Sequence, residues 1–360
     1  MDKKKKEVLV EILFIGIVIF LLGFYYFSFY IIDQEISRMN NENILIEGNK
    51  VDLDSMTLRQ KIAQMIMVRG DEKYLRFNNL NVGGIFLDRQ GTEERYKKLI
   101  NDYQSNSKIK LLVATDLEGA WSPFYNPPES QLSPYFSEVE TIQEANEIGI
   151  EHGEILKEIG FNLNFAPVSE LKDDVYGGRT FTGTNEEIEN KVEAYIGGLQ
   201  KNVLGTCKHY PGKALEENLH YQKDTVTITK EDLDLFDICL ENNISAIMIS
   251  HQIAEGELNS NGKPSSVSKE VISSIDEPVL IVADEINMRA LKDFYPERKI
   301  MYIDLINAGE NLILDFQLSS FETYRLIKRI EKEVDKGSID EKLIDESVRR
   351  VLIAKGYEVG

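Results

Sequence analysis

The chain of 360 residues is poor in several side chains that often define a function by themselves. It has only two cysteines, Cys207 and Cys239, too few for a disulfide-rich scaffold and without the paired spacing of a zinc site. Acidic residues outnumber basic ones by 61 to 41, so the formal net charge is −20 and the chain is a poor ligand for a nucleic-acid phosphate backbone. We therefore expect no nucleic-acid partner, no metal and no other cofactor.

Long uncharged runs are absent except at one place, residues 12–32, which form 21 consecutive uncharged and mostly apolar residues. This length suits a helix that spans a bilayer. Four lysines precede it at positions 3–6, and Asp33 and Glu35 follow it, so the positive-inside rule places the basic tail 1–11 in the cytoplasm and the remainder outside. We expect an uncleaved single-pass anchor in the cell membrane. The alternative is a cleaved signal peptide, whose apolar region is usually shorter and ends in small residues.

After the apolar run, the composition predicts a spacer over residues 33–53 and one folded body over residues 54–360. The body alternates amphipathic stretches with short apolar runs, a pattern typical of βα repeats around a parallel sheet. Eight runs in about 300 residues predict an α/β fold, a single-domain (β/α)₈ barrel of the TIM type. The predicted strands are 65–68, 83–87, 111–116, 163–168, 205–210, 246–250, 280–284 and 311–315.

Polar side chains follow many of these runs. Asp116 follows LLVAT, Lys208 and His209 lie near the end of GTCKHY, and Asp284 follows LIVA. In (β/α)₈ barrels, the carboxyl ends of the strands form the active-site face. Helix capping would explain an aspartate at such a place, but lysine and histidine are not favoured N-caps. The pattern therefore predicts a site at this face.

Several segments, in order, resemble glycoside hydrolase family 3, in particular its short bacterial β-N-acetylglucosaminidase branch. VATDLEGA (113–120) is similar to that family's Asp-Gln-Glu-Gly-Gly motif, and NFAPV (164–168) to its Phe-Ala-Pro-Val strand. KHYPG (208–212) is similar to its Lys-His-Phe-Pro-Gly motif, and VADEINMRAL (282–291) to its nucleophile strand. The likeness extends from Leu58 to Lys355.

The resemblance implies a retaining glycosidase on a (β/α)₈ barrel. It assigns Asp284 as the nucleophile, which attacks the anomeric carbon. Lys208 and His209 are expected to donate hydrogen bonds to sugar hydroxyls, Asp116 to accept from a pair of hydroxyls, and Arg179 to contact the sugar. Charged groups form the strong hydrogen bonds that hold a neutral polyol.

The acid/base is expected in a barrel loop, because the chain ends just after the closing helix of this domain. In the short branch, that loop carries an Asp-Ser-His dyad. Here it reads KALEENLHYQ (213–222), so His220 aligns with the dyad histidine and Asn218 stands in place of the aspartate. An Asp→Asn change beside the histidine of a Ser-His-Asp triad costs ~10⁴ in turnover. Glu216 or Glu217 is an alternative orienting group or general acid.

The single tryptophan, Trp121, replaces the family's arginine in VATDLEGAW. An aromatic ring at the rim of a sugar site often stacks on a pyranose. Trp121 is thus a candidate sugar platform, and packing in the core is the alternative.

These observations predict a membrane-anchored glycosidase that removes terminal β-N-acetylglucosamine from peptidoglycan fragments or related glycans, with a glycan or muropeptide as its partner. Because the acid/base is expected to be a histidine, phosphate is a further possible acceptor. The altered loop also allows a catalytically impaired glycan-binding protein on the same barrel. A third alternative is another specificity, such as β-glucoside or xyloside cleavage.

Overall fold

The computed structural model describes residues 3–71, 77–124, 133–172, 175–212 and 218–360. Its helices are α1 (Lys3–Asn41), α2 (Leu58–Gln64), α3 (Glu93–Ser105), α4 (Ile142–Ile159), α5 (Asn185–Leu199), α6 (Lys230–Glu241), α7 (Lys269–Ile272), α8 (Arg289–Lys292), α9 (Arg298–Ala308), α10 (Ser320–Asp335) and α11 (Glu341–Ala354). Its strands are β1 (Ile46–Glu47), β2 (Lys50–Val51), β3 (Ile66–Arg69), β4 (Gly84–Phe86), β5 (Leu112–Thr115), β6 (Leu163–Asn164), β7 (Thr206–Tyr210), β8 (Thr225–Ile228), β9 (Ala246–Ile249), β10 (Ile253–Gly256), β11 (Leu280–Ala283), β12 (Leu312–Asp315) and β13 (Glu358–Val359).

Eight of these strands form one parallel sheet in the order β6-β5-β4-β3-β12-β11-β9-β7. Parallel bridges from Leu163 to Leu204 and from Val168 to Lys208 join its two edges, so the sheet is a nearly closed barrel. The eight strands coincide with the eight predicted runs, and the TIM-type fold is confirmed. Because most of these strands are buried on both faces, their sequences are continuous apolar runs. Strand β7 (TCKHY) is an exception, since it carries Lys208 and His209.

The interior of the barrel is filled by apolar side chains rather than open. Thirteen buried residues form this inner core: Met67, Phe86, Leu112, Ala114, Leu163, Phe165, Ala246, Met248, Leu280, Val282, Leu312, Leu314 and Val351. Val351 belongs to α11, which therefore closes the end of the barrel opposite the carboxyl ends of the strands. The rest of the apolar core lies between the strands and the surrounding helices.

Threonine caps fix where five helices begin. The side chains of Thr57, Thr92, Thr141, Thr184 and Thr229 each accept a backbone N–H from the third residue that follows, at the start of α2, α3, α4, α5 and α6. Loss of one such cap costs about 1 kcal/mol. The caps define the ends of the loops, from which several site residues project.

Helix α1 extends beyond the predicted apolar span. Residues 33–41, predicted as the start of the spacer, continue the helix, and Ile36 and Met39 are buried against the barrel. Glu35 accepts hydrogen bonds from Tyr324 Oη (2.7 Å) and Lys328 Nζ (3.0 Å) in α10. The start of the predicted spacer is thus a helical segment that packs on the barrel.

One disulfide bond crosses the second half of the barrel. It joins Cys207 in β7 to Cys239 in α6, with their Cα atoms 6.5 Å apart. Cys207 directly precedes Lys208, so the bond ties the strand that carries two predicted site residues to the helix that covers it.

Candidate active site

A pocket of about 830 Å³ opens at the carboxyl ends of the barrel strands. Seven predicted site residues line it: Asp116, Trp121, Arg179, Lys208, His209, His220 and Asp284. The other two, Glu216 and Glu217, lie outside the residues that the structure describes. Sequence positions spread over almost 170 residues are thereby brought to one cavity.

A cluster of alternating charges forms one wall of the pocket. Lys208 Nζ lies 2.6 Å from Asp116 Oδ1 and also contacts Glu118 Oε1. Arg179 donates to the same Glu118 carboxylate from Nε (2.5 Å) and Nη2 (3.0 Å). Burial alone raises the pKa of Glu118, but the Lys208 and Arg179 cations outweigh it and lower that pKa to about 2. Glu118 therefore fixes two cations beside the hydroxyl-binding position predicted for Asp116.

A tight turn after β5 places Glu118 in this cluster. Gly119 has φ of +63°, and a Cβ atom there would lie 2.5 Å from the carbonyl oxygen of Pro134. Glycine is the residue that meets both conditions at low cost. The turn is closed by backbone hydrogen bonds between Glu118 and Trp121. It directs Glu118 into the barrel and leaves Trp121 at the rim.

Trp121 lies at the mouth of the pocket and does not pack in the core. Its side chain is 41% exposed, and its Nε1–H donates a 3.0 Å hydrogen bond to the carbonyl of Gly177. Tyr176 packs edge-on against the indole, and the guanidinium of Arg179 lies 4.8 Å from the Tyr176 ring centroid. The loop that carries Arg179 therefore also holds the indole in place.

Asp284 follows β11 on the opposite wall and is only 9% exposed. Its Oδ1 accepts a 2.7 Å hydrogen bond from the backbone N–H of Glu285. Burial raises the pKa of Asp284, but His209, His251 and the Glu285 N–H outweigh burial and hold that pKa below its ordinary value. The group is thus an ionised carboxylate, as a nucleophile requires.

Two histidines close to Asp284 each have hydrogen-bond partners that hold the ring. His209 Nδ1 lies 2.8 Å from Glu170 Oε1, so a carboxylate orients the ring. The ring of His251 contacts Ser266 Oγ (2.8 Å) and the carbonyl of Glu285 (3.1 Å), and burial lowers its pKa. Both rings are held by neighbours rather than free to turn.

The described part of the loop that the sequence predicted to supply the acid/base begins at Asn218, and its Leu219 and His220 line the pocket. The Asn218 side chain accepts a 3.0 Å hydrogen bond from the backbone N–H of His220, not from its imidazole. Leu219 is buried, and its carbonyl accepts from the Ala290 N–H in α8 at 3.1 Å. His220 is therefore exposed at the pocket wall on a turn fixed next to the Asp284 strand.

The described residues contain no group of three or more His, Cys, Asp or Glu side chains that could hold a metal ion.

Comparison with known proteins identifies the family. The profile of the glycosyl hydrolase family 3 N-terminal domain matches residues 57–354. The chain belongs to glycosyl hydrolase family 3. A curated relative, the beta-hexosaminidase LpqI of Mycobacterium tuberculosis, is 22% identical over 331 residues, which cover 84% of each chain.

Solved structures of similar proteins share the fold. A β-N-acetylglucosaminidase from Paenibacillus sp. str. FPU-7 superimposes with a TM-score of 0.76 at 24% identity over 84% of this chain, which spans only 62% of that protein. A β-N-acetylhexosaminidase from Beutenbergia cavernae superimposes with a TM-score of 0.72 at 20% identity over 84% of this chain and 99% of that one.

Two features of this family 3 site were not predicted from the sequence. The first is Glu118, although its position two residues after Asp116 in DLEG was a usable signal. The second is an apolar floor of three phenylalanine rings. The ring of Phe86 stacks on those of Phe165 and Phe316, with centroid distances of 6.1 and 4.8 Å. These phenylalanines belong to separate apolar runs, so only the closed barrel brings them together.

Proposed function

We propose that the chain is a membrane-anchored, retaining glycoside hydrolase that removes terminal β-linked N-acetylglucosamine from peptidoglycan fragments or related glycans. The observation that carries the proposal is an ionised Asp284 facing a wall of hydroxyl-binding charges in one pocket. Family membership supports glycosidase chemistry, and the β-N-acetylhexosaminidases named above support the choice of sugar.

In the first step, a carboxylate oxygen of Asp284 attacks the anomeric carbon as the glycosidic bond breaks. A protonated His220 donates its proton to the leaving oxygen, so the aglycone departs as a neutral alcohol. Asp116, Lys208, His209 and Arg179 bind the sugar hydroxyls during this step. The product is a covalent glycosyl ester on Asp284.

In the second step, water attacks the anomeric carbon of the ester. His220, now neutral, accepts a proton from that water, and Asp284 leaves as a carboxylate. Two inversions give net retention of configuration. Glu216 and Glu217 are alternative acid/base groups from the same loop.

The exposed apolar part of α1 supports the proposed anchor. Every large apolar residue described between Ile12 and Phe27 is exposed, and the helix is long and apolar enough from Ile12 to Asn40 to cross a membrane. An apolar surface of this extent is unfavourable in water and favourable in a bilayer. By the positive-inside rule, the barrel lies on the extracytoplasmic side.

The proposal is tested with the full chain in detergent and 2,4-dinitrophenyl N-acetyl-β-D-glucosaminide, a substrate that needs little acid assistance. We expect a burst of dinitrophenolate and, after acid quench, a mass increase on the peptide that contains Asp284. Asp284→Asn is expected to abolish both. Asp293→Asn, at a partly exposed ion pair with Arg289, is the matched control and should retain both. Turnover without an adduct, or a full burst from Asp284→Asn, would contradict the covalent mechanism.

A glycan-binding protein without turnover is the second candidate. It is favoured by one contact, because Asn218 uses its side-chain oxygen on a backbone N–H and does not orient the His220 ring. Equilibrium binding of N-acetylglucosamine without any burst would identify this function.

A further inference from the structure

The way in which α1 packs on the barrel defines the direction in which its apolar part projects. Three sets of side-chain hydrogen bonds, at successive heights along the barrel axis, determine this direction. We call them levels: α1 contacts α10 at the first, α2 at the second, and the loops at the amino ends of the strands at the third.

The first level lies near the pocket. Helix α10 begins just after β12, and Phe316 and Gln317, which precede it, line the pocket. Glu35 of α1 contacts α10 at Tyr324 and Lys328, one to two turns from the start of that helix. Residue 35 of α1 therefore lies within about 10 Å of the level of the pocket mouth, at 1.5 Å per helical residue.

The second and third levels lie farther from the mouth. Gln60 Nε2 donates to the carbonyls of Met39 (3.2 Å) and Glu42 (3.3 Å), and its neighbour Arg59 pairs with Glu331, three turns into α10. Lys108, which precedes β5, donates to the carbonyl of Glu42 at 3.0 Å. The end of α1 thus lies beside the amino ends of the strands.

These contacts show that α1 runs parallel to α10, from the mouth side toward the closed end. Residues that precede Glu35 consequently extend past the pocket mouth and not past the closed end. Ile32 still packs on the barrel core, whereas the large apolar residues from Ile12 to Phe27 are exposed. The apolar span begins at about the level of the mouth.

We propose that α1 holds the barrel with its pocket mouth toward the bilayer, so that the enzyme acts on a glycan attached by its reducing end to a membrane lipid. This inference rests on the anchoring and the terminal-sugar activity proposed above. The non-reducing sugar occupies the pocket between Asp284 and Lys208, so the aglycone leaves through the mouth. Because the mouth faces the bilayer, it receives a glycan whose aglycone is a lipid of that bilayer.

The orientation is tested with the full chain reconstituted in phosphatidylcholine–phosphatidylglycerol vesicles. Because Cys207 and Cys239 are bonded to each other, a single new cysteine is the reactive thiol. Gln317→Cys and Asp335→Cys place a donor fluorophore at opposite ends of α10, which is about 24 Å long. With an acceptor on lipid headgroups, we expect clearly higher energy transfer from position 317 than from position 335. Equal transfer, or higher transfer from 335, would overturn the orientation.

Docking of α1 is tested by a matched variant, Ile36→Asp with Met39→Asp, which leaves residues 12–32 intact. We expect it to stay with the vesicles and to keep its turnover of the aryl glycoside, while the difference between the two label positions falls by more than half. An unchanged difference would mean that these contacts do not set the orientation.

The substrate class is tested with N-acetylglucosamine β-linked directly to a lipid. Wild-type protein should cleave it at least tenfold faster in its own vesicles than in separate vesicles, and the double variant should lose most of this advantage. Equal rates in the two arrangements would refute the substrate. Loss of protein from the vesicles would refute the anchor and this inference with it. Absence of aryl-glycoside turnover would refute the proposed activity instead, and the labels alone would then decide the orientation.

Discussion

The two walls of the pocket are built in different ways. The holding wall, formed by Asp116, Glu118, Arg179 and Lys208, is a network of ion pairs in which Glu118 and Lys208 are almost fully buried. The reacting wall, formed by Asp284 and the turn 218–220, has one buried carboxylate and one exposed imidazole. The holding wall is fixed by ion pairs within the protein, whereas the reacting wall leaves the proposed proton donor, His220, in contact with solvent. The groups proposed for binding are thus held by buried ion pairs, and the group proposed for proton transfer is exposed.

The largest effect is expected when the imidazole of the reacting wall is removed, which tests whether that wall supplies the proton. We expect His220→Ala to reduce kcat/KM about 10²- to 10⁴-fold for an alkyl glycoside, since general acid catalysis contributes this much. The dinitrophenyl glycoside needs little acid help. The variant should therefore form the covalent adduct from it at nearly the wild-type rate. Tyr221→Phe on the same exposed turn is the control. An equal loss for both substrates would show that His220 is not the acid.

Removing the central carboxylate of the holding wall should affect stability as well as binding. Glu118→Gln leaves the buried Lys208 and Arg179 with one anion fewer, and loss of one partner from a buried ion pair costs about 3–5 kcal/mol. Urea denaturation is the measurement. Asp88→Asn breaks the exposed pair with Arg69 and should cost less than about 1 kcal/mol. Similar losses of unfolding free energy in the two variants would mean that the ion pairs of the holding wall stabilise the fold no more than an exposed pair does.

The same carboxylate gives a pH test. Glu118 has a pKa of about 2 in the folded protein against 4.5 ordinarily, so the unfolded chain binds more protons between these values. Its contribution to stability is complete above pH 4.5 and is lost as the pH falls toward 2. We expect the urea midpoint of the wild type to fall more steeply in this window than that of Glu118→Gln. Parallel curves would contradict the assigned pKa.

The smallest expected effect is at the rim, where Trp121 belongs to neither wall. Trp121→Ala should raise KM about 3- to 10-fold, since an aromatic contact contributes about 0.5–1.5 kcal/mol beyond its buried area. Trp121→Phe should recover most of that loss, because it keeps an aromatic face and lacks only the bond to Gly177. Steady-state kinetics on the aryl glycoside measures both. An unchanged KM for Trp121→Ala would exclude a sugar platform.

The barrel was predictable because parallel strands buried on both faces leave a direct mark on the sequence. Short runs such as LLVAT and LIVA recur between amphipathic stretches, which is typical of βα repeats. In a barrel of such repeats, the side chains that follow the strands share one face. Trp121 was less determined, since an indole suits both a core and a rim. Its place was decided by the turn at Gly119, a backbone property.

The extension of α1 was missed because residues 33–53 were judged by composition. Ile32, Ile36 and Met39 repeat at intervals of four and three, which is the helical period. Gln34 and Arg38, which lie between them, are exposed and form the solvent face of that helix. Glu118 was missed for a different reason. Its position two residues after Asp116 was a usable signal, but its burial between Lys208 and Arg179, which are distant in sequence, becomes evident only in the fold.

The bond between Cys207 and Cys239 links the site to its compartment. Disulfides persist where thiols are not kept reduced, which is the case outside the cytoplasmic membrane. Lys208, which contacts both acidic residues of the holding wall, is the next residue along the strand from Cys207. Under the proposed export of the barrel, the strand that carries Lys208 gains its covalent tether to α6 only on the outer side of the membrane, so that export completes the wall proposed to hold the sugar.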